Sequence, residues 1–274
     1  MPKTLPPSGK YGNIFWLFMP LLIFAIFIQK NIGVLPAQGQ RETNRKIEPR
    51  RVKVSNFVWD RGGLVTFWFD DAWLSQYEQG YRIVEEYGYR AALAVPTRHV
   101  SYEAYMNWSQ IRKLHFKGWE IVSHSRNHDC ELVGKPLEEA QDEIVGGKQD
   151  LAEQGIISEI YVPPCGKTSE ETNNLVRDNF FAQRAINPGL NPLPVRDKYD
   201  LKIRTIERKT TVSEVRAWIR QAKYYRQWLI FMFHEIDEEE EGSLRITPEM
   251  LGKIMEEVKT AGLTVVIPSE ALSI

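Results

Sequence analysis

From residue 57 to the C-terminus, short apolar runs alternate with segments whose apolar positions recur at helical spacing. The runs "LVTFWFD", "RAALAVP", "WEIVSH", "EIYVPP", "FAQRAIN", "LKIRTI", "WLIFMFH" and "LTVVIP" read as strands. Between them, "LSQYEQGYRIVEEYG", "YEAYMNWSQIRKLHFKG", "PLEEAQDEIVGGKQDLAEQG", "SEETNNLVRDN", "TVSEVRAWIRQAKYY" and "TPEMLGKIMEEVKTAG" carry the helical pattern. Strands separated by helices imply βαβ units and a parallel sheet, and a barrel is the economical way to close it.

The N-terminus breaks this pattern. After a tail of residues 1–10, residues 11–29, "YGNIFWLFMPLLIFAIFIQ", carry no charge. At about 1.5 Å per residue, they approach the ~30 Å hydrocarbon thickness of a bilayer. The reading is one N-terminal transmembrane helix that anchors the chain. A cleaved signal peptide has a shorter apolar region, and "VLPAQ", with its small residue at Ala37, matches a cleavage site weakly. Lys3 and Lys10 before the span and Lys30 after it nearly balance, so charge does not choose the side on which the domain lies. Residues 30–56 form a basic, polar linker suited to anionic headgroups, and residues 57–274 form the folded domain.

Composition changes this picture little. The chain has 274 residues, 43% hydrophobic and 26% charged, enough for one large α/β domain or two small ones. A formal charge of −1 provides no electrostatic footprint for nucleic acid, and none is expected as a partner. Two cysteines, Cys130 and Cys165, permit one disulfide outside the cytosol; two free, partly buried thiols are the alternative.

The residues with chemical potential stand at strand ends. Asp70 and Asp71 close the first strand, His124 the third and His234 the seventh, while Pro163 and Pro164 end "EIYVPP". In a (β/α) barrel these ends meet on one rim, where active sites sit. In "HSRNH", a helical turn would put His124 and His128 on one face; with a carboxylate they make a three-ligand metal site. Zinc suits that set, with iron, cobalt and nickel as alternatives. One aspartate can ligate while its neighbour takes a proton, and His234 can donate one. Together they describe hydrolysis of an amide or ester.

The motifs "TFWFDDAW", "SHSRNH", "YVPPCG" and "WLIFMFHEID", in this order, resemble those of the polysaccharide deacetylase family, also called carbohydrate esterase family 4. The resemblance implies a distorted (β/α) barrel of about seven parallel strands and a metal-dependent hydrolase that removes N-acetyl groups from peptidoglycan, chitin-like polymers or poly-N-acetylglucosamine. By motif position, Asp70 resembles the catalytic base and His234 the catalytic acid. Asp71, His124 and His128 resemble the ligands of one divalent ion, most simply Zn2+, with Co2+, Ni2+ or Fe2+ as alternatives. Pro164, Cys165 and Gly166 resemble the loop whose amide stabilises the oxyanion. Trp73 is a candidate for stacking on a sugar.

The chain departs from the family pattern at Ala72, where glycine is usual, and at Val162 and Cys165, where arginine and an aromatic residue are usual. Arg126 or Arg204 are candidates to replace the arginine that steadies the base, and Asp237 is a candidate to orient His234. His99 and His115 fit no motif. The expected protein is a membrane-anchored polysaccharide N-deacetylase with its catalytic domain outside the cytoplasmic membrane. The alternatives are a glycan-binding barrel without activity and a deacetylase or esterase of another acetylated substrate.

Overall fold

The computed structural model describes residues 62–238 and 242–273. Eight strands run in the order β1 (Leu64–Phe69), β2 (Ala92–Val95), β3 (Glu120–Ser123), β4 (Ile160–Tyr161), β5 (Ala182–Pro188), β6 (Leu201–Thr205), β7 (Trp228–Phe233) and β8 (Thr264–Val265). Every pairing between them is parallel. Strands β1 to β7 close a barrel, with β7 returning to β1 along its whole length, from Leu64↔Trp228 to Phe69↔Phe233. The other edge of β1 is shared: Leu64 and Val65 pair with β8, and Trp68 and Phe69 pair with β2. This split distorts the barrel, since β2 closes it only at the end where the strands finish.

The helices α1 (Tyr81–Glu86), α2 (Trp108–Phe116), α3 (Leu137–Glu153), α4 (Glu170–Asn179), α5 (Val212–Tyr225), α6 (Pro248–Ala261) and α7 (Pro268–Leu272) follow in chain order. Side-chain caps from Asn107, Ser169, Thr211 and Thr247 set the starts of α2, α4, α5 and α6, and Gly262 at φ +68° stops α6. The helix expected over 102–118 contracts to α2, because Ser101 and Ala104 take positive φ and Asn107 caps from an extended backbone. No helix among the described residues is long and apolar enough to cross a membrane. The anchor expected at 11–29 and the linker at 30–56 lie outside the described residues.

Strand alternation sorts the core into two shells. Val65, Phe67 and Phe69 pack outward against Leu114, Ile219 and Leu251 of the helices. Leu64 and Trp68 point into the barrel, with Val122, Ile160, Ala182, Ile203, Trp228, Ile230 and Met232. Trp68 and Trp228 are the largest fully buried side chains, and the Trp228 indole donates to Thr66 at 2.9 Å inside the barrel. Burying side chains of this size contributes roughly 1.5–3 kcal/mol each. The inward parity continues past the last strand residues: Leu64, Thr66 and Trp68 lead to Asp70, Val122 to His124, Ala182 to Arg184, and Met232 to His234.

Candidate active site

Those inward positions open into a cavity of about 540 Å³ at the rim where the strands end. Asp70, Asp71, His124, His128, Arg184 and His234 line it, as do Trp73, Pro163, Cys165 and Gly166. Of the catalytic, metal, loop and stacking residues expected from the motifs, all line this cavity except Pro164, which is buried in its turn.

The aspartate pair sits in a turn of unusual backbone. Asp71 has φ +76° and Ala72 φ +60°, so the chain leaves β1 sharply and both carboxylates turn toward the barrel mouth. Glycine would adopt this conformation freely; Ala72 adopts it at a cost of order 1 kcal/mol. The turn is pinned by Met106 N–H donating to the Ala72 carbonyl at 2.9 Å and Leu74 N–H to the Ala104 carbonyl at 2.7 Å. The Trp73 indole donates to Asp71 Oδ2 at 3.0 Å and stacks on Tyr105 at 4.4 Å between centroids. Trp73 therefore orients the carboxylate, and Tyr105 occupies one of its faces.

His124 and His128 meet through a loop rather than the expected helical turn. Ser125 and His128 both take positive φ, and Ser125 Oγ accepts the His128 N–H at 3.1 Å. Helix α3 braces this loop. Buried Glu143 accepts the N–H groups of Arg126 and Asn127 at 3.2 and 2.8 Å, and Arg126 forms a two-point ion pair with Asp150. Gly147 explains why a helix interior tolerates glycine here, since a Cβ would lie 2.9 Å from the Ser125 backbone.

The candidate metal-ligand set is well formed. His124 Nδ1 donates to the Val162 carbonyl at 2.8 Å, which leaves Nε2 with its lone pair. That Nε2 lies 3.4 Å from Asp71 Oδ1, and His128 Nε2 lies 3.3 Å from the same oxygen. Asp71 Oδ1 is buried and takes no hydrogen bond from the described residues. Three donor atoms thus face one another within 4.8 Å with nothing between them, the arrangement a divalent cation resolves.

Charge states agree with this. Burial works against ionisation of Asp71, but contact with His124 and the charges of His124, His234 and His128 outweigh it and hold the carboxyl below its ordinary range. Burial, aided by repulsion from His124, pushes His128 down to about 4 against the pull of Asp71 and Asp70. Both residues are therefore in the form a metal ligand needs near neutral pH.

Asp70 takes a different partner. Its Oδ2 is held by the Arg184 guanidinium from β5, and Oδ1 meets no hydrogen-bond partner among the described residues. Arg184 lies over the Trp68 ring, 5.4 Å from its centroid, and is 1% exposed. This corrects the expectation that Arg126 or Arg204 would steady the base. Arg126 is engaged with α3, and Arg204 stands over Trp218 on the outside of the barrel. A lone arginine at an inward position of an apolar strand was the available signal.

His234 Nε2 lies 3.8 Å from Asp71 Oδ2, while its Nδ1 is buried without a hydrogen-bond partner among the described residues. Asp237, the candidate to orient it, pairs instead with Arg245 at 3.4 Å. Gln76 also escaped the sequence reading. Its buried amide nitrogen donates to the Asp70 carbonyl at 2.5 Å and to the His234 carbonyl at 2.9 Å.

Cys130 and Cys165 form a disulfide, with Cα atoms 5.4 Å apart. It ties the loop of His128 to the turn Pro164–Gly166, as does the ion pair of Lys167 with Glu131 at 2.6 Å. In that turn Cys165 has φ +53°, and the Gly166 and Lys167 amides close on Pro163 and Pro164. The Cys165 amide takes no part in those two bonds. His99, expected outside any motif, packs beside the site, edge-on to Tyr105 at 5.0 Å and 6.5 Å from His128.

A closed parallel barrel with a carboxylate, two histidines and a second carboxylate at its mouth is what the resemblance to carbohydrate esterase family 4 implies. The polysaccharide deacetylase family model matches residues 60–182, which bear the aspartate pair, both metal-site histidines and the Pro164 turn, so the resemblance read from the motifs holds over that segment. No curated protein matches the chain. Among solved structures, the carbohydrate esterase domain of a multidomain xylanase from the hindgut metagenome of Trinervitermes trinervoides is 18% identical, with 77% of this chain and 90% of that chain covered and a TM-score of 0.56. A family 4 acetyl xylan esterase from Clostridium thermocellum, in complex with a cobalt ion, gives 18%, the same coverage and 0.55. A family 4 pseudoenzyme mutant with restored enzymatic activity gives 16% identity, 77% and 68% coverage and 0.54. At such identities these likenesses speak for the fold alone.

Proposed function

We propose that this protein is a metal-dependent N-deacetylase of an N-acetylated polysaccharide, anchored in the cytoplasmic membrane with its barrel on the outer side. The observation that carries the reading is the division of labour between adjacent aspartates. Asp71 Oδ1 faces two imidazole Nε2 atoms, while Asp70, gripped by Arg184, keeps Oδ1 unengaged.

Asp71, His124 and His128 would hold one divalent ion, most simply zinc, which would supply Lewis-acid polarisation of the acetyl carbonyl and lower the pKa of a water. Asp70 Oδ1 takes a proton from the attacking water, and Arg184 fixes the carboxylate for that transfer. The Cys165 amide would donate to the developing oxyanion. His234 Nε2 delivers a proton to the departing nitrogen, so acetate and a free amino sugar leave. The external location is supported by the disulfide, which persists outside the reducing cytosol, and by the uncharged apolar stretch at residues 11–29.

The test is acetate release from N-acetylglucosamine oligomers and from peptidoglycan, with zinc or cobalt added and after chelation. Metal-dependent release identifies the substrate class. Metal uptake without release from any substrate favours a glycan-binding barrel instead, and release only from other acetylated compounds favours an esterase or amidase.

A further inference from the structure

The last ladder bond between β1 and β7 runs from Asp70 N–H to the Phe233 carbonyl at 2.9 Å. Beyond it the ladder cannot continue, because Asp71 at φ +76° turns the chain away. The carbonyls of Asp70 and His234 would then lack a donor at the point where the base and the acid must be held against each other. One side chain serves both, Gln76 Nε2, at 2.5 and 2.9 Å. Two carbonyl acceptors on one nitrogen fix the amide orientation, since the oxygen in that place would be repelled. The neighbouring Ser75 Oγ accepts the Ile236 N–H at 3.2 Å, gripping the same segment two residues further on. Gln76 opens a single π-helical stretch, Gln76–Gly80, a wider turn than an α-helix makes and one frequent at functional sites.

We propose that Gln76, assisted by Ser75, is a positioning residue that sets the acid His234 against the base Asp70 by replacing the missing rungs between their strand ends. This inference rests on the deacetylase reading above. It explains how His234 holds a place 3.8 Å from Asp71 although its Nδ1 meets no partner among the described residues. The backbone carries the orientation that a side-chain partner does not.

The test is a double-mutant cycle in the full chain. Gln76→Met keeps the length of the side chain and removes the donor. Its kcat should fall about 10- to 100-fold with KM little changed, the size of effect expected from misplacing a reacting group. Bound metal should stay at the wild-type level. Added to His234→Ala, Gln76→Met should cost little more, because its effect passes through His234. Additive losses, an unchanged kcat or a loss of metal would each overturn the proposal. If Gln76→Met does not fold, Ser75→Ala enters the same cycle, with a smaller loss and the same non-additivity expected. Wild-type protein without any acetate release would sink the deacetylase reading itself. The clamp would then be judged by whether His234 Nε2 leaves its place beside Asp71 in the crystal structure of the variant.

Discussion

Arg184 and Asp70 form a buried ion pair beneath the candidate active site, joining β5 to the end of β1 across the barrel. The side chains are 1% and 5% exposed, so little water screens them. Val162, at the position where the resemblance implies an arginine, offers its carbonyl to His124 Nδ1. The guanidinium that reaches Asp70 comes from β5, a relocation relative to what the resemblance implies.

That relocation gives a first prediction. Arg184→Met should lower acetate release by at least an order of magnitude and destabilise the fold by about 3–5 kcal/mol, because it leaves the Asp70 charge buried and unpaired. Thermal unfolding and kcat, measured together, check both parts. An unchanged kcat would show that Asp70 needs no orienting cation.

The Cys130–Cys165 bridge closes a loop of sequence separation 35, worth about 4 kcal/mol of unfolded-state entropy. It also fixes the turn that presents the Cys165 amide. The Cys130→Ser, Cys165→Ser double variant should unfold at a lower temperature and lose several-fold in kcat while keeping its metal. Equal kcat at a lower melting temperature would confine the bridge to stability.

The low value of His128, about 4, bears on metal binding. Protons compete for this ring only near that pH, so His128 itself should not weaken zinc binding between pH 7 and about 5 and should do so below it. The unfolded chain takes up the same proton near pH 6.5. Metal-free protein should therefore lose stability on this account as pH falls from about 6.5 to 4, and no further below. An imidazole NMR titration of metal-free protein with the His128 midpoint near 6.5 would contradict the burial drawn for this ring.

Glu120 lies at the opposite end of the barrel, where β3 starts, and accepts the Ser269 N–H at 2.7 Å. Burial pushes its carboxyl up to about 7 against that hydrogen bond. The folded state thus holds a proton that the unfolded state has released, and stability falls as pH rises from about 4.5 to 7. Glu120→Gln should raise the melting temperature more at pH 8 than at pH 5 and leave acetate release unchanged.

Much of this site is legible in the chain because strand parity carries it. Asp70 follows Leu64, Thr66 and Trp68 on one face, and His234 follows Trp228, Ile230 and Met232, so the rim residues announce themselves. Arg184 obeys the same parity, but beside Gln183 and Asn187 in "FAQRAIN" it looks like part of the solvent face of a half-buried strand. Only closure of the barrel turns that position inward. The His124 to His128 loop misled for a different reason. Spacing of four suggests a helix, whereas Ser125 and His128 adopt positive φ held by Glu143 and Gly147, contacts that local propensity does not encode. Gln76 lies in a segment read as one amphipathic helix, and its role depends on a carbonyl 158 residues away. The choice between free thiols and a disulfide turned on the distance between two loops, which spacing along the chain does not reveal.

The most direct test is a zinc titration of metal-stripped protein, with acetate release and bound metal followed in parallel for the wild type and for Asp70→Asn. The account predicts that both proteins take up one ion per chain. Wild-type activity should rise with occupancy, while Asp70→Asn should stay at least about 100-fold lower, the usual scale for loss of a general base. Full activity in Asp70→Asn, or wild-type activity indifferent to the ion, would contradict it.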